Sequence, residues 1–501
     1  MKAIAMYLPQ FHRVPENDAW WGEEFTDWIS TQKAVPLFEG HVQPRVPKDK
    51  NYYNLMEKEV MVWQANLMHQ YGVDGMCMYH YWFKDGKQIL EKPVENLLEW
   101  TDIDMPYCLY WANESWIRSW SKMRNANAWL TDEENTKRDE DSGVLLEQHY
   151  GGEKEWRAHF EYLLPFFKDP RYITVNDKPL FMIYKSAIIP ELEEMLSCWK
   201  QWAKEAGLEG LYVIGAYTNG NLKQSLLDAG FYHEPPRANA IFRERYRGDG
   251  VCKIEYDEIW QYILEEFDTQ NKIFYSGFSG YDDTPRRGTR GMVIVHQTSE
   301  KFAKYLSELM AKNEAVGNDI TFINAWNEWG EGMYLEPDEA DGTKYLEAVS
   351  YAKTHYKEYV SLYRDKFETK KKTASLLQQR CDKYESYLFA LDRWMELREE
   401  GINLEQMLIK RGCKHVALYG YGILGRHFVQ EVKNSEIELD YIIDQNKEKI
   451  ELDIPSYTPY ETLPECDAVV VSSFYFMDEV RAVLPKHFKL ISIETLIRDI
   501  E

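Results

Sequence analysis

The sequence predicts an α/β protein: a (β/α)8 TIM-type barrel followed by a helical linker and a small Rossmann-like α/β domain. Three observations predict it. Eight short apolar runs alternate with amphipathic stretches over residues 1–360. Polar and aromatic clusters follow those runs at the same end, as at the C-terminal mouth of a barrel. A separate apolar run leads into a glycine-rich turn after residue 411. A chain of 501 residues also exceeds what one core holds, roughly 250–300 residues.

Taken in order, the barrel runs fall at residues 3–8, 73–79, 107–111, 180–184 and 212–217, weakly near Phe231, then at 273–278 and 321–325. Amphipathic segments at 57–71, 191–206, 256–267 and 299–313 lie between them, the β-then-α order of a parallel sheet. Residues 361–410 read as a helical linker, charged throughout and free of proline. Leu377, Cys381, Tyr384, Leu388, Leu391 and Met395 keep a 4,3 spacing there. That seam fits a homodimer paired through the 377–395 helix, or a linker helix packed on its own domains.

In residues 411–501 an apolar run at 416–420 leads into Gly420, Gly422 and Gly425, then an amphipathic helix, then a run at 439–443 ending in Asp444. A G-x-G-x-x-G turn after a strand, with an acid about 20 residues on, is the dinucleotide-binding pattern. Gly420, Gly422, Gly425 and Asp444 are therefore candidates to hold a nucleotide or nucleotide-sugar. A structural or docking role is the alternative. Further strands read at 468–472 and 490–493.

A formal net charge of −24 repels nucleic acid and anionic lipid over most of the surface. The seven cysteines are odd in number, scattered and never in a C-x-x-C pair, which argues against a disulfide framework or a zinc site. No metal is expected. The run at 3–8 is too short for a signal peptide, and no apolar run approaches the ~18 residues of a membrane span. A cytoplasmic location is expected. With 17 Trp and 35 Tyr, the chain carries many of the flat apolar faces that suit sugar rings.

The clusters behind the runs are the substrate-binding candidates. Tyr7, Gln10 and His12 follow the first; Tyr79, His80 and Trp82 the second; Trp111, Asn113 and Glu114 the third. Tyr217 closes the fifth, His233 and Glu234 the sixth, and Asp282 and Arg286 follow the seventh. Trp326, Asn327, Glu328, Trp329, Gly330 and Glu331 follow the eighth. Two carboxylates can break or make a glycosidic bond, one handling the proton on the bridging oxygen and one serving the anomeric carbon. Glu328 and Glu331 are the catalytic candidates. Like charges held close raise one pKa, and the carboxyl so raised becomes the acid. The alternative is a capped helix start with a solvated Glu331. No cofactor is expected in the barrel. Arg243, Arg245 and Arg247, or Arg286, Arg287 and Arg290, could hold an acidic group, and Arg286 is the better placed.

Ala3 to His12 with its Tyr-Leu-Pro-Gln-Phe-His run, Trp20-Trp21-Gly22 with Phe25-Thr26-Asp27-Trp28, Tyr79-His80-Tyr81-Trp82-Phe83, Trp111-Ala112-Asn113-Glu114, the loop from Asp282 to Arg286, and Trp326-Asn327-Glu328-Trp329-Gly330-Glu331-Gly332 together resemble the WbsX-like proteins. These are usually called glycosyltransferases of surface-polysaccharide gene clusters and are related to glycoside hydrolase family 99, the endo-acting α-mannosidases. The resemblance implies a (β/α)8 barrel acting on an oligosaccharide or polysaccharide. It implies that Glu328 deprotonates a sugar 2-hydroxyl, giving a 1,2-anhydro intermediate, and that Glu331 is the general acid and base. The hydrolases usually carry histidine where this chain has Gly330.

Overall fold

The computed structural model describes residues 1–117, 144–217, 222, 225–245 and 250–498. Arg247 and the Arg245 side chain lie outside the described residues. The chain forms two compact units, Met1–Lys370 and Lys371–Glu501.

The first unit is a closed parallel barrel. Its strands are β1 (Lys2–Tyr7), β2 (Gly75–His80), β3 (Tyr107–Trp111), β4 (Lys178–Ile183), β5 (Tyr212–Ala216), β6 (Ala229–Tyr232), β7 (Ile273–Phe278) and β8 (Ile320–Asn324). They pair in the order β3-β2-β1-β8-β7-β6-β5-β4, and β3 pairs with β4 to close the ring. Every expected run is a strand. The weak one near Phe231 carries Gly230 because a Cβ there would lie 2.5 Å from Ile273 Cδ1. The interior is aromatic: Phe231 meets Phe322 at 5.1 Å, and Tyr110 meets Tyr79 at 5.5 Å.

Helices cover the outside. Lys58–Tyr71 ends at Gly72, whose left-handed backbone (φ 74°) lets its N–H reach back to the last turn. Ser299–Ala315 starts at Thr298, whose side chain accepts the Lys301 N–H. Trp199 and Trp260, both fully buried, seat their helices on the barrel. Each indole removes roughly 150–250 Å² from water, about 4–6 kcal/mol of gross apolar stabilisation at 25 cal/mol/Å².

The second unit is a five-stranded parallel sheet of β9 (His415–Tyr419), β10 (Glu438–Ile443), β11 (Ser456–Tyr457), β12 (Ala468–Val471) and β13 (Leu490–Ser492). The order β11-β10-β9-β12-β13 is that of a Rossmann-like sheet. The helix Ile423–Val432 after β9 buries Leu424, Phe428, Val429 and Val432. Gly420 takes φ 90°, and a Cβ at Gly425 would lie 2.1 Å from the Gly420 carbonyl oxygen. Gly425→Ala is therefore expected to cost this unit about 1–3 kcal/mol through overpacking, read as a lower unfolding midpoint.

The helix Val360–Glu399 begins in the first unit and ends in the second. Ala390, Trp394 and Leu397 enter the second core together with Leu404, Met407 and Leu408. The Trp394 indole donates to Glu431 at 2.6 Å. Most of the 4,3 seam lies on another face, with Leu388 66% and Met395 57% exposed, while its Leu391 packs against the second core. Among the described residues no helix is long and apolar enough to cross a membrane.

Candidate active site

Just past β8, Asn327–Glu328 pairs antiparallel with Met333–Tyr334. Between them Trp329–Glu331 makes one turn of 3₁₀ helix, closed by Gly332 at φ 59°. Side chains three residues apart eclipse in such a turn. Glu328 and Glu331 thereby reach one cation, Arg286, which stands on the short helix Thr284–Arg287 after β7.

The Arg286 guanidinium donates to Glu331 Oε1 from Nη1 at 2.6 Å, and from Nη2 to Asp27 Oδ2 at 3.1 Å and Glu328 Oε2 at 3.4 Å. Asp27, at the start of the helix Asp27–Lys33, also accepts the Gly330 N–H at 3.2 Å. Burial disfavours the guanidinium charge, but Asp27, Glu331 and Glu328 outweigh it and hold Arg286 well above its ordinary pKa. Burial and the neighbouring Glu331 push Glu328 up to about 8, with Arg286 opposing. Burial and then Glu328 also raise the hydroxyl pKa values of Tyr79 and Tyr81, which face the cluster from β2 and its continuation.

A Cβ at Gly330 would lie 2.6 Å from Asp27 Oδ2 and 2.9 Å from Arg286 Nε. The cluster thus fills the space that a side chain at position 330 would need. Gly330→Ala is expected to push Arg286 off the carboxylates, which the catalytic role proposed below turns into a more than tenfold loss of turnover, since small displacements of catalytic groups can cost about 10²-fold. Steady-state kinetics checks this.

Under the turn, Glu336 accepts four hydrogen bonds, from Trp329 Nε1 (2.7 Å), Gln64 Nε2 (2.8 Å), Trp326 Nε1 (2.9 Å) and the Tyr53 hydroxyl (2.9 Å). Burial raises its pKa to about 7 against those four donors. Both indoles are consequently fixed from below and fully buried, and Trp329 stacks on Tyr334 at 3.8 Å.

The other sequence candidates separate into groups. Arg286 binds the carboxylates, and Tyr79 lies near enough to feel their charge. Tyr217 is the most open of the set, 37% exposed at φ 46°, with its ring 5.3 Å from Tyr184. Several are occupied by the protein itself. Tyr7 donates to Gln64 at 2.9 Å. Asn327 exchanges hydrogen bonds with the backbone of Leu8. Asn113 binds the Lys185 backbone and the Tyr150 hydroxyl. Trp326 is held by Glu336. Asp282 accepts from His41 and Gln43, each at 2.7 Å, and from Thr284. Glu114 pairs with Lys185 at 2.5 Å. Gln10 gives its carbonyl to the Asp27 N–H at 3.4 Å.

His12 is buried, neither ring nitrogen has a partner among the described residues, and burial lowers its pKa to about 4. His80, Trp82 and Trp111 turn away from the barrel mouth toward the helix Glu153–Phe167, where His80 meets His159 at 2.8 Å. Asp27 and Glu336 were missed as site residues. Asp27 had a signal in the Phe25-Thr26-Asp27-Trp28 cluster, whereas nothing local marked Glu336 or Gln64.

A parallel barrel whose C-terminal mouth gathers three carboxylates around one guanidinium, beside tyrosines and fixed indoles, is a (β/α)8 TIM-type barrel with its polar cluster at the usual end. The sequence profile described as glycosyltransferase WbsX matches residues 3–349, and the chain belongs to that WbsX glycosyltransferase family. The uncharacterized protein WxcX of Xanthomonas campestris pv. campestris strain B100 is 33% identical over 367 residues, covering 70% of this chain. The WxcX of strain ATCC 33913 matches equally. The chain spans about half, 49%, of the length of these curated relatives. Among solved structures, the GH99 endo-alpha-mannosidase of Bacteroides thetaiotaomicron is 17% identical, with TM-score 0.41 over 72% of this chain and 98% of that one. A glycoside hydrolase-like protein gives 12% and TM-score 0.44 over 70% and 93%. Likenesses at that level carry no substrate or mechanism across.

Proposed function

We propose that the chain makes or remodels a glycosidic bond during synthesis of a bacterial surface polysaccharide, capsule or O-antigen, using Glu328 and Glu331. The observation that carries this reading is the shared Arg286 clamp. It sits closer to Glu331 (2.6 Å) than to Glu328 (3.4 Å), so the proton of the pair resides on Glu328. Glu328 then protonates the bridging oxygen as the C1–O bond breaks, and the Glu331 carboxylate faces the positive charge that builds at C1. An acceptor hydroxyl gives up its proton to Glu328 as it closes the new bond. This assigns the acid to Glu328, whereas the resemblance implies Glu331. Seven unpaired cysteines suit a reducing cytoplasm.

Incubation with nucleotide sugars and an oligosaccharide acceptor tests the reading, with a lengthened product as the expected result. The second reading, a retaining endo-glycosidase acting through a 1,2-anhydro sugar, is favoured instead by release of reducing sugar from an α-mannoside oligosaccharide with no nucleotide sugar present. A non-catalytic glycan-binding scaffold requires that Glu328→Gln and Glu331→Gln leave every activity intact.

For the second unit we propose a nucleotide or nucleotide-sugar site at the turn of Gly420, Gly422 and Gly425, supported by the helix N-terminus at Ile423. Asp444 accepts the Tyr421 N–H at 2.8 Å and orders that turn. Calorimetry with NAD, UDP-sugars and GDP-sugars decides it, and absence of heat with all three overturns it. The exposed seam including Leu388 supports a homodimer, which sedimentation of Leu388→Glu tests.

A further inference from the structure

Beyond β2 the chain stays extended, and its side chains alternate. Tyr79 and Tyr81 face the carboxylates, while His80 and Trp82 face the opposite way. There a cavity of about 510 Å³ opens, lined by Trp82, Trp111, Tyr150, Trp156 and His159, with Asp85 and Lys154 among its polar walls. Pockets that hold small ligands span roughly 300–1,000 Å³.

The walls are held in place. Trp82 lies flat on His159, with centroids 4.6 Å apart and planes 5° apart. Trp111 stands edge-on to His159 at 4.7 Å and donates its indole N–H to the Trp82 carbonyl at 3.2 Å. The Tyr150 hydroxyl is tied to Asn113. A Cβ at Gly86 would lie 3.3 Å from the Trp82 ring, so glycine there leaves that ring uncrowded. Trp156, 8% exposed, also lines the cavity. Burial keeps His159 uncharged, so the inner wall offers aromatic faces to an uncharged polyhydroxyl ring, and Asp85, Lys154 and Glu155 supply polar groups for its hydroxyls.

We propose that this cavity is an accessory sugar site that takes one or two neutral pyranose units of a glycan, on the side of the β2 extension away from the carboxylates. The proposal rests on the carbohydrate reading above. A glycan held there is gripped at a point remote from the bond being made or broken, so the site acts on affinity for long chains.

The test is calorimetry of the full chain with manno-, gluco- and galacto-oligosaccharides of two to six units. The expected result is binding that Trp82→Leu weakens about fivefold or more and that Lys154→Ala, an exposed position on the cavity wall, also weakens. Oligosaccharide binding that is unchanged by both substitutions overturns the accessory site and leaves the carbohydrate reading standing. No binding of any oligosaccharide to the unmodified chain overturns both.

Discussion

On the proposed acid role, Glu328→Gln is expected to lower turnover by about 10² to 10⁴-fold, the range for loss of a general acid or base, while the chain stays folded. Glutamine keeps the shape and the neutral state that burial already favours at this position. Activity of the unmodified chain should fall as pH rises through about 8, where Glu328 loses its proton. The sign for stability is the same. Glu328 is raised to about 8 and Glu336 to about 7, both above the ordinary 4.5. Their contribution is therefore fully present below about pH 4.5 and is lost as pH rises through 7 to 8. Glu328→Gln should flatten its part of that decline in urea melts taken across the pH range. An unchanged rate in the variant, with normal folding, would remove Glu328 from the chemistry.

Arg286→Met is expected to destabilise the first unit by about 3–5 kcal/mol, the cost of removing one partner from a buried ion cluster. Three carboxylates, Asp27, Glu328 and Glu331, share that guanidinium. Met fills a similar volume, so the loss would report the missing charge rather than a cavity. Adding Asp27→Asn should recover part of it by removing one of the stranded anions. Chemical denaturation of the two variants measures both effects. A midpoint that does not move in Arg286→Met would show that the cluster is solvated and carries no such energy.

Much of this was legible because it is local. Each barrel strand is a run of apolar residues whose neighbours along the chain reveal it, and even the run around Gly230 surfaced. Glu328 and Glu331 lie within one turn of each other, so their spacing alone placed them together. The glycine turn at Gly420 was legible for the same reason. Facing was harder to read. Strands of a parallel barrel are buried on both sides, so Tyr79 and His80 look alike in sequence although one meets the carboxylates and the other meets His159. Asn113, Asp282 and Asn327 carry the polar groups a sugar would need, but their partners, Lys185, His41 and Leu8, come from distant segments and were not predictable.

The sequence by itself determined the eight-stranded barrel, the Rossmann-like appendage and the carboxylate pair after the last barrel strand, because apolar periodicity and short spacings are properties of neighbouring residues. Only the tertiary structure set the balance of charge and burial from which we propose that Glu328 holds the proton. That depends on Arg286, Asp27 and the depth of burial, and Asp27 lies 259 positions from the arginine it binds. It also decided that Glu336 anchors Trp326 and Trp329 from below, itself held by a Gln64 that is 272 positions away. Electrostatic shifts come from charges close in space in a medium of low polarity, and closeness in space is what folding adds to the chain.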